Sequence, residues 1–315
     1  MARTVFIFLT LILLFSCSDP QKKPIKIAIN PWPGYEFLYL AQHLDLYNKA
    51  NLQVEIIQVS TLADGQRAYL NGHVDGFAST LVEAVQVEAH GAPPVEIVLL
   101  ADYSNGGDVI LANKTFTSIN DLKGATIGCE VNSLGLYFLA RALEKYNLSI
   151  SDVSVKHVEQ SQGLDALNSK EIDAFISYPP YSLKVLADPQ YQQIFSSAAI
   201  PSEILDVVSI SKTVLIANPD LKAKLQHVWT LALDYHKQHP DKANQIMAQR
   251  EGITVEEFED TLNDLKTLDI SEQRAIVKTN RVSELALSVC HTLTQVNSIS
   301  SDCAHTEHII NMRTF

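Results

Sequence analysis

The run IKIAINPWPGYEFLYLAQHLDLY, residues 25–47, does most to restrict what this chain can fold into. Ile25, Ile27 and Ile29 alternate in a short β-branched stretch, the pattern of a buried strand. Asn30-Pro31-Trp32-Pro33-Gly34 breaks it as a turn, and Phe37, Leu40, Ala41 and Leu44 then recur at helical spacing. A strand that turns directly into a helix sets its turn at the carboxyl edge of an open α/β sheet, where ligands bind. The helix start adds unpaired N–H groups and the positive end of its dipole. Trp32 and Tyr35 stand in this turn, where they either cover the sheet edge or face a ligand.

The same rhythm repeats downstream. Strands are expected over 54–59, 74–80 and 95–102, with helices over 64–72 and 81–90, an alternation that argues for a parallel sheet covered on both faces. At Ser104-Asn105-Gly106-Gly107 the pattern changes and a second α/β unit begins. It has strands over 109–112, up to Cys129, over 153–158 and over 172–177, and a long helix over 134–146. A β-rich passage over 200–221 leads back, and the chain is helical from there to about Val296. Two α/β units joined by two extended crossings predict a bilobed α/β fold with a cleft between the lobes. Residues 25–110 and 205–296 would form the first lobe, 111–204 the second, and 297–315 a polar, loosely held tail.

The amino terminus is of another kind. Arg3 precedes an unbroken apolar run over 5–15, too short to span a bilayer well, which predicts a cleaved signal of residues 1–16. Leu14-Phe15-Ser16-Cys17 reads as a lipobox, making Cys17 the lipidated first residue of the mature chain and 17–24 its tether. An ordinary signal with an incidental cysteine is the alternative. The expected address is the periplasm of a Gram-negative-type bacterium, anchored to a membrane. Removal of 1–16 takes away one Arg and no acid, so the formal charge moves from −12 to −13. That sign, without any basic run, excludes nucleic acid as a partner.

Cys129, in the apolar run ATIGCE, reads as a buried small hydrophobe. Cys290 and Cys303 flank a polar loop and either pair in an oxidising compartment or stay free. His236 and His239, and His305 and His308, form helical pairs without partner ligands, so neither a metal nor a cofactor is expected. No Gly-rich phosphate loop or nucleophile elbow points to an enzyme.

The segments WPGYEFLYLAQHLDLY, LNGHVDGFASTLVEA, DYSNGGDVILA, INDLKGATIGCEVNSLGLYFLARAL and KEIDAFISYPPYS occur in that order. Together they resemble the solute-binding proteins of ABC importers, more narrowly the nitrate/sulfonate/taurine and thiamine-pyrimidine-precursor class. The resemblance spans roughly residues 24–280. It implies a type II periplasmic binding protein fold and a monomer that captures a small organic solute between its lobes. It also implies delivery to an ABC permease in the inner membrane; reporting to a membrane cyclase or kinase is the alternative output.

The cleft residues it implies are Trp32, Tyr35, Glu36, Ser79, Thr80 and Glu83 from the first lobe. The second lobe would supply Asn132, Ser133, Tyr137 and Tyr178, with Asp108 and Asp206 at the crossings. Pro179-Pro180 stands where many relatives carry an acid and a single proline. Aromatic faces and carboxylates suit an amine-bearing or pyrimidine-like solute. Hydroxyls and helix starts suit a sulfonate or taurine-like oxyanion. No Arg or Lys falls among these turns, which disfavours a bare dianion. Each acid has a structural alternative as a helix-start carboxylate stabilising the dipole.

Overall fold

The computed structural model describes residues 23–300, 302–311 and 315, so the signal segment and Cys17 lie outside the described residues. The strands fall into two sheets. The first contains β1 (Ile25–Ile29), β2 (Val54–Gln58), β3 (Gly76–Thr80) and β4 (Val95–Ser104). The second contains β5 (Val109–Asn113), β6 (Thr126–Cys129), β7 (Ser154–His157), β8 (Ala174–Ser177) and β9 (Tyr191–Ser196). The chain then returns to the first sheet with β10 (Leu205–Ser211) and β11 (Leu265–Thr267). The two orders are β11-β4-β10-β3-β1-β2 and β7-β6-β8-β5-β9. This is the bilobed α/β architecture that the alternation predicted.

The sheets are mixed rather than purely parallel. β1 runs parallel to β2 and β3, and β6 runs parallel to β7 and β8, as expected. The strands on either side of each crossing depart from that rule. β10 inserts antiparallel between β3 and β4, and β5 pairs antiparallel with both β8 and β9. A strand that carries the chain from one lobe to the other has no crossover helix to reverse it, so it enters the new sheet running the opposite way. Within 200–221 only β10 is a strand, and a helix over Lys212–Ala217 follows it. β11, three residues long, lies in a passage expected to be helical; so short a segment carries no readable period.

The cores are nearly continuous runs of apolar strand residues, among them Ile27, Phe77, Leu99, Leu100, Val207 and Val208. Helices that are buried on both faces of a sheet need no other driving force. The tail is held more firmly than its polar composition suggested. Cys290 and Cys303 form a disulfide, Ile299, Ile309 and Ile310 are buried, and the Ile309 carbonyl accepts from the Ile97 amide at 2.8 Å. Among the described residues no helix is long and apolar enough to cross a membrane.

The two crossings, residues 105–108 and 197–204, run side by side. The Ser104 and Ser197 hydroxyls lie 2.7 Å apart, and Ser197 Oγ also accepts from the Gly106 amide at 2.8 Å. Ser104 Oγ accepts from the Asp108 amide, whose own carbonyl accepts from the Ser197 amide. The two crossings are thus clipped together by two serines.

Candidate functional site

The carboxyl ends of the strands meet at the seam between the lobes around a small cavity of about 10 Å³, room for about one water with the lobes this close. Its walls are Asn30, Trp32, Tyr35, Leu62, Thr80, Asp108, Leu134, Tyr178 and Asp206. The first turn supplies three of these because proline and glycine end β1 abruptly and aim the following side chains across the sheet edge. Trp32 meets Tyr178 of the other lobe edge to face, with centroids 6.1 Å apart, and Tyr35 at 6.4 Å. The turn is fitted closely. A Cβ on Gly34 would overlap the Asp102 carboxylate, and one on Gly107 would approach the Trp32 ring to 2.7 Å.

Behind and beside the aromatics lie three aspartates. Trp32 Nε1 donates to Asp102 at 3.4 Å, and the Tyr35 hydroxyl donates to Asp206. Asp102, Asp108 and Asp206 are all buried, and each keeps one carboxyl oxygen without a partner. Burial pushes Asp102 up to about 8 and Asp108 to about 7, and holds Asp206 well above the carboxylate range. Mutual repulsion adds to this: Asp108 raises Asp102, and Asp102 and Asp108 both raise Asp206. Among the described residues no Lys or Arg lines the cavity.

Glu83 plays a different part from the one its position suggested. It caps its own helix, over Leu81–Ala89, by accepting from the Thr80 amide and hydroxyl. Its other oxygen reaches across the seam to accept from the Ser133 hydroxyl at 2.8 Å and the Leu134 amide at 2.7 Å. These sit at the start of the Leu134–Lys145 helix, so a first-lobe carboxylate caps a second-lobe helix. The Tyr181 hydroxyl donating to the Ser60 carbonyl, and the Leu62 amide reaching the Tyr178 hydroxyl, complete a closed seam.

Of the residues named from the sequence, Trp32, Tyr35, Thr80, Asp108, Tyr178 and Asp206 line the cavity, and Ser133 joins them through Glu83. Besides Glu83 and Ser133, four expected residues do not line the cavity. Glu36 is ion-paired with Arg250, at the end of the Pro240–Glu251 helix. One residue along a helix turns the side chain by about 100°, which carries Glu36 away from the face that Tyr35 begins. Ser79 turns its hydroxyl onto the Thr80 carbonyl at 2.9 Å. Tyr137 is buried in the second-lobe core, and Asn132 is exposed. Sequence reasoning passed over Asn30, Leu62, Asp102 and Leu134. The available signal for Asp102 was an acid closing the apolar run VEIVLLAD.

Residues 32–243 match the family model described as NMT1/THI5 like. The chain belongs to this family. A provisionally named thiamine biosynthesis protein of Haemophilus influenzae is 26% identical over 239 residues, covering 73% of this chain and 74% of that one. A provisionally named binding protein of Brucella abortus is 25% identical over 262 residues, covering 79% of each. The periplasmic aliphatic sulphonate binding protein SsuA of Escherichia coli superposes with a TM-score of 0.74 over 91% of this chain and 92% of its own, at 14% identity. At that identity the likeness establishes the periplasmic binding protein fold alone. The family match begins at Trp32, so it takes in every cavity residue except Asn30.

Proposed function

We propose that this member of the NMT1/THI5-like family is an extracytoplasmic solute-binding protein of an ABC importer. Its proposed ligand is a small, flat, positively charged nitrogen compound, and amine-bearing or pyrimidine-like rings form the class that fits. One observation carries the reading: three buried aspartates with unpartnered oxygens flank an aromatic-walled cavity that has no cation of its own. Leaving buried charge uncompensated is costly, and with the lobes parted to admit it a ligand N–H⁺ would satisfy the carboxyls while Trp32, Tyr35 and Tyr178 pack on its ring. A sulfonate in the same place would find no counter-charge and would meet acids that ionise as pH rises. The role is binding and delivery without chemical change, from a position anchored through Cys17.

A thermal-shift panel of aminopyrimidines, primary amines and sulfonates, followed by calorimetry, tests this. Aminopyrimidines or amines are expected to stabilise the protein and sulfonates to leave it unchanged. Trp32→Ala should then weaken binding by roughly 1–3 kcal/mol, about five- to a hundred-fold in Kd. Stabilisation by sulfonates alone would replace this reading with an anion-binding one. Anchoring is tested separately: a correctly processed Cys17→Ala protein that stays in the membrane fraction would rule it out.

A further inference from the structure

We infer that Asp102 and Asp206 share one proton in the unliganded cleft and surrender it when a cation binds, which makes Asp102, outside the cavity lining, a determinant of ligand charge. The inference rests on the cation reading above. Asp102 and Asp206 stand directly opposite each other on antiparallel β4 and β10. Directly opposed side chains start from Cβ atoms about 4.5–5.5 Å apart, and like charges there are destabilising. Both residues are at most 1% exposed, so solvent does not screen them.

Among the described residues the groups facing the pair are neutral or acidic, Thr267 of β11 opposite Asp102 included. From the first turn, Trp32 Nε1 donates to Asp102 and the Tyr35 hydroxyl to Asp206. Asp108 reaches it from the first crossing and Glu83 from the helix after β3. Thr80 lies opposite Asp206 on β3, with its hydroxyl committed to Glu83. These donors satisfy one oxygen of each aspartate but cancel no charge. A proton held between the two remaining oxygens, both without another partner, removes the repulsion. The pair titrates as a unit rather than as two independent acids.

The exchange balances. A ligand N–H⁺ enters and donates to the pair, the shared O–H bond breaks, and its proton leaves to solvent. One positive charge replaces another, and no redox partner is involved. Affinity for a cation should therefore rise with pH across the range in which the pair gives up its proton, by up to about tenfold per pH unit for one proton released. An amide at position 102 keeps the shape and donates permanently to Asp206. Asp102→Asn should still bind a cation, but without that pH dependence.

The test uses protein labelled with ¹³C at the aspartate carboxyls. In the wild type, a coupled pair of signals, besides the single one of Asp108, should stay protonated above about pH 6, and Asp102→Asn should replace the pair's two-step titration by a single step at Asp206. Wild-type spectra in which Asp102 and Asp206 titrate independently, or are both ionised by that pH, would overturn the inference without bearing on ligand class. Benzamidinium, benzamide and benzoate then serve as one shape in three charge states. Benzamidinium should raise the Tm more at about pH 8 than at about pH 6 in the wild type, and equally at both in Asp102→Asn. An equal shift at both values in the wild type refutes proton displacement. Stabilisation by benzoate instead, or by none of the three, counts against the cation reading, and the carboxyl titration still decides the pair. Should Asp102→Asn fail to fold, Asp206→Asn provides the reciprocal removal of the shared proton.

Discussion

Tyr35 and Glu36 are sequence neighbours, yet they enter two acidic interiors of opposite character. Glu36 meets Arg250, which is 5% exposed, while Glu251 lies close enough to raise repulsion with it. That interior contains its own cation. Tyr35 meets Asp206, and beyond it Asp102 and Asp108, where no cation lines the space. Both regions bury carboxylates to a similar depth, so burial alone does not distinguish scaffold from binding site. The distinction lies in whether the fold supplies the counter-charge. Where it does, removing the cation should cost stability; where it does not, a ligand has something to complete.

The largest effect should come from emptying the self-contained cluster. Arg250→Met leaves Glu36 and Glu251 buried without their cation, and breaking such a pair costs roughly 3–5 kcal/mol. Urea unfolding should read that loss, with the ligand preference of the surviving folded protein unchanged. A variant as stable as the parent would mean that Glu36 and Glu251 are held neutral, and the contrast between the two interiors would collapse.

A smaller effect is expected at the seam that joins the lobes. Glu83→Gln keeps the shape but weakens charge-assisted bonds to Ser133 and Leu134, each class of bond contributing roughly 1.5–3 kcal/mol. The capped helix start belongs to the other lobe, so the loss should favour the open form. Small-angle scattering of the unliganded variant should show a larger radius of gyration, and affinity should fall with little change in which ligands bind. An unchanged radius together with altered ligand choice would make Glu83 a ligand contact, not a latch. Burial raises its carboxyl, opposed by Thr80 and Ser133. Relative to the unfolded chain its net contribution is thus most favourable at acid pH and falls as pH rises through its folded value, a fall that the bonds to the ionised carboxylate limit without reversing.

Much of this was legible in the sequence, and the gaps have a common cause. The turn after β1 announces itself through Pro31, Pro33 and Gly34 within five residues of a β-branched run, and Trp32 and Tyr35 line the cavity accordingly. Asp108 and Asp206 were recognisable from their places at the crossings. Asp102 was not, because its significance comes from β10 pairing back against β4 from the far side of the second lobe. Glu36 was misassigned for the same reason. Its partner arrives from 214 residues away, and no local pattern announces it. Periodicity reports which face a residue occupies; it does not report what the rest of the chain later brings to that face.

The smallest effect is expected at Glu36 itself, and it is the sharpest test of the comparison. Glu36→Gln preserves the side chain's shape and one acceptor for Arg250, while Glu251 remains nearby to share that charge. The position does not line the cavity. If the two interiors are independent, substitutions in one add to those in the other within about 0.3–0.5 kcal/mol, so Kd for a cationic ligand should move by no more than about twofold. Asp206→Asn, one residue type and one equal degree of burial away, should weaken the same ligand severalfold or more. Calorimetry on the two variants side by side decides the matter. If Glu36→Gln weakened the cation as strongly as Asp206→Asn, the Arg250 pair would belong to the binding site, and the division drawn here between a self-compensated and an open acidic interior would be wrong.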